Sequence, residues 1–391
     1  MNNKKVLFAI HTYDRFAGGI DNAFSRLENN LPDYIKHDIL VFKNIVNLPH
    51  KAEKIYFLST VKLPSFILRH KKRLKFLVVF IGFYILLYRI IKFYNFLKKN
   101  GENYKKIVVF DDYFSVIVLM STYLYNKKYK KNIKVIPSVR NSPRNIYSYG
   151  NLIHLLPDFF YLKIAFPIII KKLSYLVHGV AEGLKTELKE KFNINNVVII
   201  HNLYDFSKIE ELANEDIEFK FDYLLNVGHI NFAKNQKDLI KAFFVLKKEY
   251  KIKEKLLIIG KGPLKEELIS LVNSLNLKNE VIFLEPLSNP YKYMKRANVF
   301  VLTSLYEGFP NVLVEAGYLK TPIVSYKIEH GVSEIVKNPV EKGDIKSLSF
   351  EIYRILTDKN YREECIFYTS NRIENIFNKE RIIKKWEELL K

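Results

Sequence analysis

Residues 223–260, YLLNVGHINFAKNQKDLIKAFFVLKKEYKIKEKLLIIG, contain the pattern that decides the fold. Two short apolar runs, YLLNV and KLLII, each end in glycine, and the stretch between them has the apolar spacing of a helix. Strand–helix–strand units of this length build parallel sheets. The same alternation continues to PIVSY at 322–326, so we expect a parallel sheet covered by helices on both faces.

The preceding half of the chain contains further apolar runs that predict buried strands, among them KVLFAI, DILVF, KIVVF and NVVII. The character of the chain changes near Asp205, where SKIEELANEDIEFKFD (207–222) is acidic and polar. We interpret this segment as part of the linker between two doubly wound α/β domains. The predicted domains are residues 1–205 and residues 206–377.

The 63 Lys and Arg residues are unevenly placed relative to the 41 Asp and Glu. Residues 1–200 hold 33 basic and 13 acidic side chains, whereas residues 201–391 hold 30 and 28. A basic domain indicates an anionic partner, either a membrane face or nucleic acid. The sequence has neither the aromatic–basic motif of an RNA module nor zinc-finger spacing, which favours the membrane. The single cysteine, Cys365, excludes an intramolecular disulfide and fits the cytoplasm.

Two apolar segments of the basic half bear on the membrane prediction. The run Phe76–Tyr88 has thirteen uncharged residues, whereas a spanning helix needs roughly 20 apolar ones. It is interpreted either as a buried core helix or as an interfacial helix, and a true span is the weakest alternative. In the interfacial case lipid headgroups would meet the preceding basic residues Lys71, Lys72, Arg73 and Lys75. The segment His154–Val177 mixes aromatic residues and lysines in the same way.

Three loops of the second half follow strand ends, where parallel α/β sheets bind ligands. The first, VGHINFAKNQ, contains Gly228 and places Lys234 near a helix start, where a cation is unfavourable unless an anion lies between. The second, IIGKGPLKEEL, contains Gly260 and Gly262 before a helix predicted to start at Pro263. Glycine there permits a ligand to approach backbone N–H groups closely. Neither loop has the G-x-G-x-x-G dinucleotide fingerprint.

The third loop is YEGFPNVLVEAG, residues 306–317. Glu307 precedes a helix predicted to start at Pro310, and Glu315 lies more than one turn inside it. Eight residues of continuous helix would separate the two carboxylates by about 12 Å. A hydrolytic pair would instead come from separate elements at short range. The backbone amides at the helix start form an anion or hydroxyl site, so this loop predicts ligand binding rather than hydrolysis.

Together the three loops resemble the nucleotide-sugar-binding domain of retaining GT-B glycosyltransferases of family 4, the glycosyl transferases group 1. The most specific element is a glutamate, seven residues and a second glutamate, followed by a small-residue helix and the strand in TPIVSY. AGGIDNAFSRLENNLP, and VAEGLKTELKEKF through IIHNLYD, match the other half of that family. The resemblance implies an α/β GT-B fold, two Rossmann-like doubly wound domains with a cleft between them. It also implies that residues 378–391 pack back on the first domain.

The resemblance further implies a nucleoside diphosphate sugar at the carboxyl end of the second sheet. Glu315 would accept hydrogen bonds from the ribose hydroxyls, and Glu307 would position the donor sugar. Lys234 and the residue after Gly228 would neutralise the departing diphosphate, so the resemblance implies no metal or other cofactor. The other implied donor contacts are the base site at Gly260, Gly262 and Leu284, and the loop residues Gly308, Phe309, Pro310 and Asn311.

The chain departs from the family pattern at three positions. His229 stands where most relatives carry an arginine after the glycine. A mostly neutral imidazole therefore replaces a guanidinium that is always charged and can form two parallel hydrogen bonds. We expect His229 to donate one hydrogen bond and Lys234 to carry most of the electrostatic load. Glu285 replaces a common glycine and Ala181 a usual serine, which leaves the base preference and the contact between domains open.

In the first domain, Gly18 and Gly19 match the family's loop whose backbone amides approach the diphosphate. Arg140 and Asn141 follow the strand VIPSV, and we expect them to contact donor or acceptor. Arg140 is predicted to be catalytic, together with Glu307 and Lys234. The adjacent pair Asp111-Asp112 is predicted to be a polar cap at a strand end rather than a metal site.

The sequence thus predicts a retaining hexosyltransferase with a nucleoside diphosphate sugar as donor, expected to be a UDP-sugar. The expected acceptor is a lipid-linked precursor of a cell-surface glycan such as lipopolysaccharide or capsule. We expect a cytoplasmic enzyme, peripheral on the inner face of the membrane and held there by its basic half, without nucleic acid. Two alternatives remain open: a nucleotide-sugar epimerase or hydrolase of the same fold, and a non-enzymatic polyanion-binding protein.

Overall fold

The computed structural model of the chain describes residues 4–11, 19–42, 49–58, 75–140 and 166–391. The chain divides into two compact units, one of Met1–Tyr204 with Lys379–Lys391 and the other of Asp205–Asn378. Both are parallel sheets with helical connections, as the alternating sequence pattern predicts. The first part of the segment interpreted as a linker is helical, in the helix Phe206–Ala213. The Asp205 carboxylate caps this helix by accepting a hydrogen bond from the Lys208 N–H at 3.1 Å.

The described part of the first unit contains a seven-stranded sheet in the order β3-β2-β1-β4-β5-β6-β7, and every strand pair is parallel. Its strands are β1 (Lys5–Ile10), β2 (His37–Val41), β3 (Ile55–Phe57), β4 (Tyr104–Val109), β5 (Lys134–Val139), β6 (Val177–Gly179) and β7 (Val197–Ile199), and the four central strands β1, β4, β5 and β6 are mostly buried. The α-helices that the structure describes between residues 19 and 192 are α1 (Gly19–Asn30), α2 (Lys75–Asn100), α3 (Asp112–Tyr129), α4 (Phe166–Leu173) and α5 (Glu182–Phe192).

The second unit contains a five-stranded parallel sheet in the order β10-β9-β8-β11-β12. Its strands are β8 (Tyr223–Val227), β9 (Lys255–Ile259), β10 (Val281–Leu284), β11 (Val299–Leu302) and β12 (Ile323–Ser325). Its helices are α6 (Phe206–Ala213), α7 (Gln236–Val245, continued by a π-turn over Leu246–Tyr250), α8 (Lys265–Ser274), α9 (Tyr291–Arg296), α10 (Asn311–Tyr318), α11 (Val332–Ile335), α12 (Ile345–Thr357) and α13 (Lys359–Ile376).

The last helix, α14 (Lys379–Leu390), belongs to the first unit. The indole of Trp386 is 3% exposed and lies 5.9 Å from the Phe110 ring and 4.7 Å from the His178 ring, measured between centroids. At the carboxyl end of the helix the buried ammonium of Lys106 donates to the Leu389 carbonyl at 2.7 Å. A cation at this end also complements the helix dipole, so apolar packing and charge both stabilise the contact.

Helix α2 contains the run Phe76–Tyr88 and has two different faces. Ile85, Ile90 and Leu97 are buried, whereas Phe83 and Tyr84 are 65% and 68% exposed. One face of this helix is therefore packed in the core, and the other face is exposed. Within the part of the chain that the structure describes, no helix is long and apolar enough to cross a membrane. The predicted headgroup contacts at Lys71, Lys72 and Arg73, the side chain of Lys75 and residues 154–165 lie outside the described residues.

Candidate functional site

The strand order of the second unit places two of the predicted loops side by side. Chain order reverses between β8 and β11, which are hydrogen-bonded neighbours. Ligands of parallel α/β sheets bind beyond the carboxyl ends of the strands at such a reversal. The loop after β8 contains Lys234, and the loop after β11 contains Glu307. The sheet topology therefore brings together two residues that are 73 positions apart in sequence.

Lys234 and Glu307 form an ion pair at this reversal point. The Lys234 ammonium donates a hydrogen bond to Oε1 of Glu307, and both side chains are mostly buried, with 22% and 14% of their surface exposed. A lysine at the start of α7 is unfavourable unless an anion lies between it and the helix, and solvation of the lysine was the alternative. The anion in this structure is the Glu307 carboxylate. A mostly buried, paired lysine at a strand-end crevice can transfer its contact to a bound anion.

The backbone around Lys234 is held by polar contacts that the sequence analysis missed. The Asn231 carboxamide oxygen accepts from the Lys234 N–H at 3.0 Å. The Thr303 hydroxyl, at the end of β11, lies 3.2 Å from the Lys234 carbonyl and 3.0 Å from the Asn235 carbonyl, to which it can donate. The Leu305 N–H donates to the Ala233 carbonyl at 2.8 Å. Thr303 directly follows β11, so a polar residue at this strand end was a signal that the sequence offered.

The Glu307 carboxylate has a second donor close by in sequence. The Ser304 hydroxyl donates to Oε1 of Glu307 at 2.7 Å, so the same oxygen accepts from both Ser304 and Lys234. Two donors on one oxygen fix the orientation of the carboxylate, because each restricts its rotation. Ser304 was also missed, although it stands at a strand end three residues before the glutamate.

Helix α10 begins at Asn311, one residue later than predicted, with Pro310 as its N-cap. Glu315 lies more than one turn inside the helix and is buried, with 7% of its surface exposed. Gly331 packs against the start of this helix with φ +81°, and a Cβ there would lie 2.8 Å from the Pro310 ring. Phe309 and Pro310 are thus held by packing, which positions the N-terminus of α10 beside Glu307.

The two glycines of the second loop have a packing role that was not predicted. A Cβ on Gly260 would lie 1.9 Å from the Gly228 carbonyl oxygen, and one on Gly262 would lie 2.0 Å from the Ile230 carbonyl oxygen. The loops after β8 and β9 therefore touch backbone to backbone, which only glycine permits. The predicted start of the following helix at Pro263 is wrong, because α8 begins at Lys265.

The predicted residues at the edge of this region are more exposed. The His229 side chain is exposed, while its backbone carbonyl accepts from the buried Gln236 amide at 3.2 Å. The Leu284 carbonyl accepts from the Gly260 N–H at 2.9 Å, which joins the strand end to the glycine loop. Glu285 forms a salt bridge with Lys265 at 2.5 Å, and this hydrogen bond lowers the pKa of the Glu285 carboxyl.

The predicted site residues of the first unit lie at the carboxyl edge of its own sheet. Gly19 is the first residue of α1, and Arg140 directly follows β5. The Arg140 guanidinium is 7% exposed, donates to the Asn202 carboxamide and lies 5.4 Å from the centre of the Phe110 ring. Gly18 and Asn141 lie outside the described residues.

Asp111 confirms the prediction of a polar cap, since its carboxylate accepts from the Phe114 N–H at 2.9 Å at the start of α3. His11, which the sequence analysis did not single out, follows β1, and its Nδ1 lies 3.7 Å from the Asp111 carboxylate. These two residues mark the reversal between β1 and β4 in the first sheet.

Residues 207–372 match the family described as glycosyl transferases group 1. These residues lie within the second unit, which is therefore similar to that family. Its sequence is 33% identical, over 270 residues, to an uncharacterized glycosyltransferase of Methanocaldococcus jannaschii, covering 65% of this chain and 64% of the other.

A second relative is the N-acetylgalactosamine-N,N'-diacetylbacillosaminyl-diphospho-undecaprenol 4-alpha-N-acetylgalactosaminyltransferase of Campylobacter jejuni, 34% identical over 189 residues. That match covers 46% of this chain and 51% of the relative. The chain thus spans about half to two thirds of the length of the curated relatives it matches first.

Solved structures share the fold over the whole chain. Anabaena HepE in complex with UDP and glucose superposes with a TM-score of 0.72 at 15% identity, covering 99% of both chains. TarM of Staphylococcus aureus gives a TM-score of 0.70 at 13% identity, again covering 99% of both chains. The predicted GT-B fold, with two Rossmann-like domains, is therefore confirmed.

Proposed function

We propose that this protein is a retaining glycosyltransferase that moves a sugar from a nucleoside diphosphate sugar to a cell-surface glycan precursor. The observation that carries the proposal is the Lys234–Glu307 pair at the reversal point of the second sheet, beside the start of α10. Relatives described as glycosyltransferases of capsule, amylovoran and diphospho-undecaprenol substrates support the acceptor class. We infer a UDP-sugar as donor, because the structural neighbour HepE is in complex with UDP and glucose.

The chemistry follows from the charges at this point of the sheet. As the glycosidic bond to the diphosphate breaks, negative charge grows on the leaving group. A cation that contacts this group stabilises the transition state more than the ground state. Lys234 is the proposed cation, and on donor binding its ammonium exchanges part of its contact with Glu307 for the diphosphate. Lys234 and the amides at the start of α10 supply positive charge, so the scheme needs no metal ion.

The other residues of the three loops are assigned to the ribose, the sugar and the base of the donor. Glu315, buried inside α10, is proposed to accept hydrogen bonds from the ribose hydroxyls, and Glu307 to orient the donor sugar. The proposed base site adjoins Gly260, Gly262 and Leu284. Retention fits an attack from the same face as the departing diphosphate. We further propose a lipid-linked acceptor and a peripheral position on the inner face of the cell membrane, because the first half of the chain is strongly basic.

Donor binding is tested by thermal shift with UDP, GDP and ADP and their sugars, each with and without EDTA. A ligand at 100 times its Kd stabilises the folded state by about 2.7 kcal/mol. We expect a response to UDP that persists in EDTA. Absence of a response to the whole panel would contradict the donor assignment, and a response lost in EDTA would contradict the metal-free scheme.

The ribose role is tested with Glu315→Gln. The carboxamide keeps one acceptor oxygen but loses the charge, which is worth about 1–1.5 kcal/mol, so UDP affinity should fall by roughly 5- to 13-fold. The matched control is Glu363→Gln, an exposed glutamate on α13 whose loss should leave UDP affinity unchanged. Unchanged affinity of Glu315→Gln would remove the ribose role and leave the fold assignment intact.

The role of Lys234 is tested with Lys234→Ala. We expect kcat/KM to fall by roughly 10- to 150-fold, since a charged hydrogen bond to the leaving group is lost. Lys237→Ala is the matched control, because Lys237 lies three residues further along and is 51% exposed. Near-normal kcat/KM in Lys234→Ala would refute the assignment. Anomeric NMR of the product tests retention, and release of free sugar without acceptor would indicate a hydrolase.

A further inference from the structure

Helix α2 carries a stripe of exposed large apolar side chains. Its five members keep between 36% and 68% of their surface exposed: Phe83, Tyr84, Leu87, Tyr88 and Ile91. Their spacing of i, i+1, i+4, i+5 and i+8 places them along one face of the helix. The opposite face packs into the first unit through Ile85, Ile90, Phe93 and Leu97. A contiguous apolar patch of this kind marks an interaction surface.

An open apolar groove adjoins the stripe. It has a volume of about 390 Å³ between α2 and α3 and is lined by Ile90, Ile91, Tyr94 and Leu124, with Lys127 and Lys128 completing the lining. Leu124 and its neighbour Tyr123 on α3 are 46% and 48% exposed, so the apolar surface continues onto the second helix. The groove is therefore apolar along its length and cationic where the two lysines line it.

The charged residues of α2 and of the groove lining are all basic. Helix α2 has no acidic residue, and its exposed side continues past the stripe with Lys98 and Lys99. The Lys92 ammonium lies 5.6 Å from the centre of the Tyr88 ring, at the edge of the stripe. Among the described residues, neither Lys127 nor Lys128 forms a salt bridge. The Lys128 ammonium lies 5.9 Å from the centre of the Tyr129 ring. A lysine without a carboxylate partner can donate to an external anion.

We propose that this surface, which we call the α2 face, enters the interface of an anionic phospholipid bilayer. The apolar side chains pass below the headgroups, the groove takes a lipid acyl chain, and Lys127 and Lys128 contact a headgroup phosphate. A second copy of the chain fits less well, because it would bring the same lysines together across the contact. The inference rests on the peripheral membrane placement in the proposed function, but not on the donor chemistry.

The test is cosedimentation of the full chain with vesicles of phosphatidylcholine, with or without phosphatidylglycerol. The wild type should bind vesicles that contain phosphatidylglycerol and should keep part of this binding from about 0.1 to 0.5 M NaCl, because screening weakens charges but not apolar burial. Phe83→Ser with Leu87→Ser and Ile91→Ser should weaken binding by roughly tenfold or more, as should Lys127→Glu with Lys128→Glu. The matched control is Phe350→Ser with Phe367→Ser, since both residues are exposed phenylalanines of the second unit.

A fluorescent probe on the α2 face gives a second measurement of membrane insertion. Tyr84→Trp, a conservative change at an exposed site, should show a blue-shifted emission on vesicles and quenching by brominated acyl chains, even if the serine variants fail to fold. Absence of wild-type binding, equal loss in the control, or a dimer that the serine variants dissociate would each overturn the α2 face. The UDP thermal shift is measured in parallel. If the protein binds UDP but not vesicles, the α2 face is wrong and the donor assignment stands. If it binds vesicles but not UDP, the α2 face stands and the donor assignment is wrong.

Discussion

Acidification should destabilise the first unit through one buried histidine, His178 on β6. The ring is 1% exposed and packs against Trp386 of α14. Its Nε2 lies 2.9 Å from the Ile200 carbonyl, which can only accept, so this nitrogen carries the proton. Nδ1 then accepts from the Ser138 hydroxyl at 2.8 Å. Both ring nitrogens are thus satisfied in the neutral form.

The size of the effect follows from the pKa. Burial, with a smaller contribution from the positive charge of Arg140, lowers the pKa of His178 to about 3. In the unfolded chain the pKa of a histidine is about 6.5. As the pH falls through about 6.5 the unfolded state binds the proton first, so the free energy of unfolding decreases until about pH 3. Between pH 7 and pH 5 this loss amounts to about 2 kcal/mol from His178 alone.

The assay uses the only tryptophan of the chain, Trp386, whose fluorescence reports unfolding where α14 packs on the first unit. Urea unfolding is compared at pH 7 and pH 5 for the wild type and His178→Gln, which keeps a donor for the Ile200 carbonyl. The variant should lose about 2 kcal/mol less than the wild type over this range. His50→Gln, at an exposed histidine, should leave the pH dependence unchanged. Equal pH dependence of wild type and His178→Gln would refute the reasoning.

Three further changes test the packing of both units. Gly260→Ala should cost about 1–3 kcal/mol in urea unfolding, because its Cβ would overlap the Gly228 carbonyl, whereas Gly228→Ala, with only the flexible Lys234 side chain nearby, should cost less. Asp358→Ala should cost about 1 kcal/mol in the same assay, since its carboxylate accepts from the Tyr361 N–H at 3.0 Å at the start of α13, and Asp358→Asn should cost less. Trp386→Ala should cost about 3–5 kcal/mol by circular dichroism, and a loss below about 1 kcal/mol would contradict the packing of α14.

The positions of the candidate residues in the fold were predictable, because polar residues in the loops after parallel strands lie at one edge of the sheet. The sequence located Lys234, Glu307 and Glu315 from their positions relative to predicted strands and a helix start. It did not predict that Lys234 and Glu307 pair with each other, because that contact needs β8 and β11 to be neighbours. Ser304 was missed for a different reason: its contact with Glu307 lies within one loop, but no sequence motif marks this serine.

The sequence by itself determined the parallel α/β class, because buried strands and amphipathic helices follow from local patterns of apolar residues. It also showed that the first half of the chain is basic, because charged residues can be counted without knowledge of the fold. Only the tertiary structure decided which face of α2 is exposed, because a helix that is apolar all round gives no sign of its packed side. The same holds for Gly260 and Gly262, whose closest neighbours are backbone atoms some thirty residues away. Contacts between distant segments depend on strand order, which local pattern does not specify.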